Sequence, residues 1–302
     1  MYLNYKKFIL SFTGAAVFFF LSAYFYRCAL ECGDDNSDFS NYTLRFARVA
    51  FTDAADVIKR SEALCEYLRK ETGVYEVKLI IAPDYHGILN FFAENEADLG
   101  WPGCVSYVEG AEKYGIVPIV KPVRQGTATY SGLIIARADS GIDTLTDLKG
   151  KKMAWVDRES ASGYLFPAAL LAKSGINIEK DLGETIFLQK HDAVVLNVLL
   201  KKVDAGACYD DARDVLKDKT KAGKIKVIAK TPAIANEPIV CRAGLPAGLV
   251  AKVKAAFLKL DPAQPGHARA LDADINKIER FVEAKDGDYD NIREALKSAS
   301  VK

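Results

Sequence analysis

From residue 42 onward, short apolar segments alternate with longer amphipathic ones, and this alternation constrains the fold more than any other feature. RFARVAF (residues 45–51) and VKLIIA (residues 77–82) have strand character, whereas SEALCEYLRKETG (residues 61–73) between them has helical spacing. Three helical stretches are predicted to close the chain, at residues 246–260, 270–284 and 289–300. Strands that alternate with helices build βαβ units, so we predict an α/β fold with mixed, mainly parallel sheets and flanking helices.

The chain has 302 residues, which is enough for two lobes that each bury a core. Its formal net charge is only +1, because 41 lysines and arginines are balanced by 40 aspartates and glutamates. A protein that binds nucleic acid carries a basic surface, so this balance argues against a nucleic-acid partner. Any recognition of an anion must therefore rely on a local arrangement of groups.

A weak internal repeat indicates two similar lobes. DYHGILNFFAENEADLGW (residues 84–101) aligns without gaps on KHDAVVLNVLLKKVDAGA (residues 190–207). The alignment matches an aspartate and a glycine in both segments, and it matches Tyr85 with His191 at the predicted helix starts. Because helical periodicity is common, a chance match between two amphipathic helix–strand units is the alternative.

The segment DRESASGYLFPAALLAKSG (residues 157–175) predicts a local anion site. It follows the apolar strand MAWV and opens a helix with a polar turn that contains Ser160, Ser162 and Gly163. The first turn of a helix has backbone N–H groups without partners inside the helix, and two hydroxyls add further donors there. Serine is also the ordinary capping residue of a helix, so the turn alone is consistent with plain capping as well.

The first 28 residues have the composition of a targeting or membrane segment. Lys6 and Lys7 precede FILSFTGAAVFFFLSAYFY (residues 8–26), a run without any charged residue. A positive start followed by an apolar run is typical of an export signal, and this run is also long enough to cross a bilayer as an uncleaved anchor. Lipid attachment at Cys28 is a third alternative. In each case we expect residues 29–41 to form a polar tether.

The six cysteines do not form the pattern of a metal site. Three residues separate Cys28 from Cys32, without a second cysteine pair or a histidine cluster nearby. We therefore expect neither a metal ion nor another cofactor. The other four cysteines are predicted to be small buried core residues on strands.

The central part of the chain resembles a known family of transport proteins. YSGLIIARADSGIDTLTDLKGKKMAWVDRESASGYLFPAALLAKSGI (residues 130–176) is similar to the phosphonate, phosphite and phosphate solute-binding proteins of bacterial ABC importers. The resemblance extends, in the family's order, to the two repeat segments and to TPAIANEPIV (residues 231–240). Its most specific elements are the Ser-x-Ser-Gly-Tyr turn and the helix that starts at His191.

The resemblance implies a type II periplasmic-binding-protein fold, in which two α/β lobes are joined by a hinge. Lobe 1 would comprise residues 42–129 and 231–302, and lobe 2 would comprise residues 130–230. The ligand would lie in the cleft between the lobes. The protein would act in the periplasm, either free or tethered to the inner membrane by residues 8–26, and would pass its ligand to an ABC permease in that membrane.

The resemblance also implies which residues bind the ligand, a phosphonate or a related phosphorus oxyanion. These residues are Tyr85, Tyr130, Ser160, Ala161, Ser162, His191, Asp211 and Glu237. The hydroxyls and the imidazole would donate hydrogen bonds to the oxyanion, and Ala161 contributes only a backbone N–H where the family has threonine. Asp211, or Asp210 beside it, and Glu237 correspond to carboxylates that hold a ligand ammonium. Neutral donors suffice for an oxyanion, so we expect no binding lysine or arginine.

Two other functions remain open at this point. ESASG is close to the G-x-S-x-G nucleophile elbow, so a dyad of Ser162 and His191 with Asp204 or Asp211 would make the protein a hydrolase or a transferase. Retention of residues 8–26 as an anchor would suit a sensory protein that presents its ligand to a membrane partner. We expect a stand-alone importer component and not an enzyme.

Overall fold

The structure is a computed structural model that describes residues 38–50, 54–210, 212–271 and 277–300. The predicted signal or anchor, most of the tether and Asp211 lie outside these ranges. Within them, every helix is too short or too polar to cross a lipid bilayer.

The secondary structure of the described residues alternates as the sequence predicts. The strands are β1 (Thr43–Val49), β2 (Glu76–Ala82), β3 (Leu99–Trp101), β4 (Val117–Arg124), β5 (Thr129–Tyr130), β6 (Gly132–Arg137), β7 (Lys152–Trp155), β8 (Glu184–Phe187), β9 (Ala205–Tyr209), β10 (Ile225–Lys230), β11 (Ile234–Ala235), β12 (Ile239–Cys241) and β13 (Ile278–Glu283). The helices are α1 (Ala54–Thr72), α2 (Gly87–Ala93), α3 (Cys104–Tyr114), α4 (Phe166–Lys173), α5 (Ile178–Asp181), α6 (His191–Leu199), α7 (Lys219–Ala222), α8 (Ala247–Lys259), α9 (His267–Leu271) and α10 (Asp290–Ser300).

The strands form two main sheets, which we call sheet 1 and sheet 2. Sheet 1 has the order β13–β4–β12–β3–β1–β2, and sheet 2 has the order β10–β6–β9–β7–β8. In sheet 1, β1 pairs in parallel with β2 and β3, and in sheet 2, β7 pairs in parallel with β8 and β9. The other pairings of the two sheets are antiparallel. The α/β class is confirmed, but the sheets are mixed and not mainly parallel.

The antiparallel pairings follow from the path of the chain between the sheets. The chain leaves sheet 1 through β4 and returns through β12, and these two strands lie side by side in opposite directions. It enters sheet 2 through β6 and leaves through β10, which are also antiparallel neighbours. We use lobe 1 and lobe 2 for the parts built on sheets 1 and 2. The exact lobe limits at residues 129–130 and 230–231 stay a prediction.

The two crossings between the sheets contact each other. Strand β5 belongs to the first crossing and pairs with β11 of the second crossing, with Tyr130 opposite Ile234. The buried side chain of Asn236 donates from Nδ2 to the carbonyl oxygen of Pro122 at 2.8 Å, and its backbone N–H donates to the carbonyl oxygen of Ala128 at 2.9 Å. The crossings are therefore tied together by hydrogen bonds from both the backbone and a side chain.

The internal repeat is a structural repeat. The Asp98 carboxylate accepts the backbone N–H of Arg45 on β1 at 2.9 Å, and the Asp204 carboxylate accepts the backbone N–H of Lys152 on β7 at 2.8 Å. A Cβ at Gly100 on β3 would lie 2.6 Å from the ring of a phenylalanine on α2, and one at Gly206 on β9 would lie 2.5 Å from a valine on α6. Each glycine thus permits the close packing of a helix on its strand, which explains the matching sequence positions.

One predicted helix is wrong. Residues 272–276 of the expected helix at 270–284 are outside the described residues, and the part that follows is strand β13, paired with β4. The pairing register shifts between Ile278 and Arg280, so Ile278 and Phe281 are both buried although they are three residues apart. This irregularity in the strand imitates helical spacing in the sequence, since two apolar residues at i and i+3 also fit a helix.

The hydrophobic core extends from each sheet into the flanking helices and across the crossings. Ala161, Leu165 and Phe166 of lobe 2 pack in the same cluster as residues of α2 and α3 in lobe 1. Helix α10 contacts α3 as well as α4. The four cysteines of the described residues are buried, as predicted. Cys208 on β9 and Cys241 on β12 lie on strands, as expected, whereas Cys65 lies in α1 and Cys104 begins α3, so their placement on strands was wrong.

Candidate functional site

A cavity of about 1180 Å³ lies between the two sheets, with walls from both. Seven residues of the predicted binding set line it: Tyr85, Tyr130, Ser160, Ala161, Ser162, His191 and Glu237. Asp211 is outside the described residues, and its neighbour Asp210 lines the cavity. These residues come from both parts of the chain, so the fold brings together positions that are far apart in sequence.

The serine turn combines a cap with an unused hydroxyl. Ser160 precedes a single π-helical turn (Ala161–Leu165) that continues into α4, and its Oγ accepts the backbone N–H of Gly163 at 3.0 Å. The capping interpretation is therefore correct for Ser160. The hydroxyl of Ser162 forms no hydrogen bond within the described part of the chain, although the residue is only 2% exposed and lines the cavity. It is available as a donor to a bound group.

Close packing of glycines fixes the position of this turn. A Cβ on Gly163 would lie 2.4 Å from a side-chain carbon of Val156, and a Cβ on Gly132 of β6 would lie 2.7 Å from the carbonyl oxygen of Ser162. Tyr164, the tyrosine of the Ser-x-Ser-Gly-Tyr motif, packs edge-on against Trp155 with ring centroids 5.3 Å apart. The glycine and tyrosine of the motif therefore hold the turn in place.

His191 is a neutral hydrogen-bond donor. It is the first residue of α6 and is only 5% exposed, and its Nδ1 accepts the backbone N–H of Tyr209 at 3.2 Å. Burial lowers the pKa of His191 to about 3, so the ring is neutral near pH 7. A neutral imidazole with an acceptor Nδ1 carries its proton on Nε2. The remaining donor of the ring is thus Nε2–H.

The two predicted tyrosines approach each other from different elements. Tyr85 lies two residues before α2 and not at its first residue, and a Cβ on Gly103 would lie 2.8 Å from its ring. Tyr130 lies on β5, with its hydroxyl 3.8 Å from the sulfur of Cys104. Burial is the main cause that raises the pKa of both tyrosines. Both hydroxyls therefore keep their protons and can act as neutral donors.

A helix start that the sequence analysis missed also borders the cavity. Helix α3 begins at Cys104 after Gly103, and both residues line the cavity. The backbone N–H groups of a first helical turn carry partial positive charge. The sequence WPGC offered a signal, because a proline and a glycine directly after a short strand often precede a new helix.

Arginines line the cavity, although the sequence analysis predicted a site without a binding lysine or arginine. Arg124, at the end of β4, lines the cavity and binds the Glu237 carboxylate in a two-pronged contact, with Nη2 to Oε1 at 2.6 Å and Nη1 to Oε2 at 3.4 Å. Arg48 also lines the cavity, with its guanidinium 4.3 Å from the centre of the Trp101 ring. Net charge could not reveal these residues, since it averages over the whole surface.

The described residues of the predicted dyad or triad do not have catalytic geometry. Ser162 and His191 are both described, and no hydrogen bond joins their side chains. The Nδ1 atom that would donate to an orienting carboxylate instead accepts the N–H of Tyr209. Asp204 lies before β9, at the opposite end of that strand from Tyr209, and accepts the N–H of Lys152. The residues therefore do not form the relay that activates a serine.

Comparisons with known proteins agree with this architecture. The family described as "ABC transporter, phosphonate, periplasmic substrate-binding protein" matches residues 46–289. The phosphate-import protein PhnD of Mycolicibacterium smegmatis is 28% identical over 276 residues, which cover 83% of this chain and 84% of that protein. The phosphonates-binding periplasmic protein of Escherichia coli is 32% identical over 186 residues, or 59% of this chain and 54% of that protein.

Solved structures show the same fold. The binding-protein component of an ABC phosphonate transporter from Pseudomonas aeruginosa superposes with a TM-score of 0.75 at 27% identity, covering 84% of this chain and 85% of that one. PhnD1 from Prochlorococcus marinus, solved with methylphosphonate, gives a TM-score of 0.77 at 22% identity, covering 85% and 98%. The architecture is that of the type II periplasmic binding proteins. The chain belongs to the family of periplasmic substrate-binding proteins of phosphonate ABC transporters.

Proposed function

We propose that this protein binds a phosphonate or a related phosphorus oxyanion in the cavity between its lobes and delivers it to the permease of an ABC importer. The observation that carries the proposal is the convergence of neutral donors on one cavity. These donors are the unused Ser162 hydroxyl, the Nε2–H of His191 and the hydroxyls of Tyr85 and Tyr130.

The chemistry of the donors suits such a ligand. A phosphonate group has three oxygens that accept hydrogen bonds and carries one or two negative charges. Hydrogen bonds from neutral donors to a charged acceptor are shorter and stronger than bonds between neutral groups. Such donors can satisfy a buried anion without an additional buried cation, whose desolvation would be costly. The start of α3 adds backbone N–H groups at the same wall.

The contacts between the lobes suit closure around a ligand. Lys277 of lobe 1 forms an ion pair with Asp214 of lobe 2, and both line the cavity. His86 of lobe 1 lies 3.6 Å from the carboxylate of Glu159 in lobe 2. Hinge motion at the two crossings would break these contacts on opening and restore them on closing. The closed, loaded form is the one we propose the permease receives.

We also propose that the protein is periplasmic and that it is not an enzyme. The protein acts in the periplasm, and residues 8–26 either direct its export or tether it to the inner membrane. It binds and releases its ligand without chemical change, because Ser162 and His191 do not form a nucleophile and base pair.

Isothermal titration calorimetry with methylphosphonate, 2-aminoethylphosphonate, phosphite and phosphate tests the ligand class. We expect saturable binding of at least one of them with one ligand per chain. Ser162→Ala should weaken binding about tenfold or more, because a hydrogen bond to a charged group is lost. Ser174→Ala, at the exposed far end of α4, is the matched control and should bind as the unchanged protein does. Failure of all four ligands to bind would overturn the proposal.

A further inference from the structure

The ion pair of Arg124 and Glu237 occupies a place where the family resemblance implies a contact with the ligand. The resemblance assigns Glu237 to a ligand ammonium, yet its carboxylate already meets the guanidinium of Arg124 through two hydrogen bonds. Both side chains are largely buried, with 23% and 19% of their surface exposed, and both line the cavity. The following inference rests on the proposed function.

The backbone holds both partners in position. Arg124 and Thr127 exchange backbone hydrogen bonds at 2.9 and 3.0 Å, and Gln125 and Gly126 between them both have left-handed backbone conformations. This is the pattern of a tight two-residue turn. Glu237 directly follows Asn236, which ties the second crossing to the first. Because neither partner needs to reorganise, a competing cation would have to displace a guanidinium that is already aligned with the carboxylate.

The charge of Glu237 is felt at the proposed oxyanion pocket. Burial raises the pKa of Tyr85 and of Tyr130, and the negative charge of Glu237 contributes further to both increases. An unpaired carboxylate so close to the tyrosines would repel a bound oxyanion. With Arg124 in place, the pair is neutral as a whole, so this repulsion is cancelled.

Asp210, the other described carboxylate that the resemblance relates to a ligand ammonium, also has a partner. The Asp210 carboxylate accepts the backbone N–H of Ser131, beside Tyr130, at 3.1 Å. That bond uses one of its two carboxylate oxygens. Both described carboxylates to which the resemblance gives this role, Glu237 and Asp210, thus already have hydrogen-bond partners within the chain.

We infer that Arg124 is a specificity-determining residue. Its guanidinium binds the Glu237 carboxylate where the resemblance implies a ligand ammonium, so the site binds phosphorus oxyanions that have an uncharged substituent or none. Aminoalkylphosphonates are disfavoured, because their ammonium group must either break the pair or remain beside the guanidinium. This deepens the proposed function by naming the substituent that the ligand carries, and it replaces the role in ammonium binding that the resemblance implied for Glu237.

Two ligands of equal length test the inference, propylphosphonate and 2-aminoethylphosphonate, which differ in a terminal methyl or ammonium group. Their dissociation constants are measured by calorimetry for the unchanged protein and for Arg124→Gln, Arg124→Lys and Glu237→Gln. We expect the unchanged protein to prefer propylphosphonate by about tenfold or more, since a like charge is placed beside a desolvated cation. In Arg124→Gln the freed carboxylate should attract the ammonium, so the preference should fall by about tenfold or reverse.

The controls separate specificity from a purely structural role. Arg124→Lys keeps a cation at this position and should keep the preference for propylphosphonate. Glu237→Gln should keep the same preference, because the cation remains and the carboxylate is gone. A pair that only braces the crossings would change both affinities by the same factor and leave their ratio constant, which would overturn the inference. A preference of the unchanged protein for 2-aminoethylphosphonate would also overturn it while leaving the proposed function intact. Absence of binding to either ligand, and to methylphosphonate, phosphite and phosphate, would overturn both.

Discussion

Replacing His191 by asparagine or by glutamine separates the roles of its two ring nitrogens. The amide oxygen of asparagine can take the place of Nδ1, and the amide nitrogen of glutamine can take the place of Nε2. In the structure Nδ1 accepts the backbone N–H of Tyr209 at 3.2 Å, whereas Nε2–H is the donor left for a ligand. His191→Asn therefore keeps the internal hydrogen bond and loses the ligand contact, and His191→Gln does the reverse.

The magnitudes follow from these two hydrogen bonds. A hydrogen bond to a charged group contributes about 1.5–3 kcal/mol, so His191→Asn should raise the dissociation constant for methylphosphonate by roughly 10- to 100-fold. In His191→Gln the buried N–H of Tyr209 loses its partner, which should lower the free energy of unfolding by about 1–3 kcal/mol. His191→Gln should retain more affinity than His191→Asn, and His191→Asn should retain more stability than His191→Gln.

Calorimetry measures the affinities, and urea denaturation followed by circular dichroism measures the stabilities. Equal loss of affinity in the two variants would show that Nε2 is not the ligand donor. Greater loss of stability in His191→Asn than in His191→Gln would refute the assignment of Nδ1 as the internal acceptor. Either result would contradict the hydrogen-bond pattern from which the neutral-donor site is built.

Three further predictions concern the same framework. The pKa of His191 is about 3 in the folded chain and about 6.5 in the unfolded chain, so the unfolded state binds more protons between these pH values. The free energy of unfolding of the ligand-free protein should therefore fall by about 2 kcal/mol from pH 7 to pH 5. Denaturation of His191→Asn should not show this loss. Gly163→Ala should lower stability by about 1–3 kcal/mol because its Cβ would overlap a valine, whereas Gly223→Ala, with its nearest atom at 3.5 Å, should change it little in thermal denaturation. Asp98→Asn should lower the free energy of unfolding by about 3 kcal/mol, since it leaves two arginines without their buried carboxylate. The equivalent Asp204→Asn should lower it by about 1 kcal/mol, and equal losses in urea denaturation would contradict this difference.

Local patterns allowed much of the fold to be predicted from the sequence. The alternation of apolar strands and amphipathic helices reports which face each element buries, and this is a property of neighbouring residues. The repeat was recognisable because both lobes need an aspartate before a strand and a glycine within it. The serine turn was recognisable because a strand, a capping hydroxyl and a helix follow one another directly.

The features that were missed depend on contacts between distant segments. β13 imitates a helix because its irregular pairing with β4 places Ile278 and Phe281 on one side. The pair of Arg124 and Glu237 joins the two crossings, and no local pattern connects positions so far apart. The resemblance to the family supplied Glu237 as a residue of the site, but its partner became visible only once the crossings were seen side by side.

A crystal structure of the protein with methylphosphonate tests the central claim most directly. We predict one ligand in the cavity between the lobes, with its oxygens within hydrogen-bonding distance of the Ser162 hydroxyl and of Nε2 of His191. The ion pair of Arg124 and Glu237 should remain intact beside the methyl group. A ligand bound elsewhere, or one whose oxygens contact Arg124 while Ser162 and His191 stay without contact, would contradict the account.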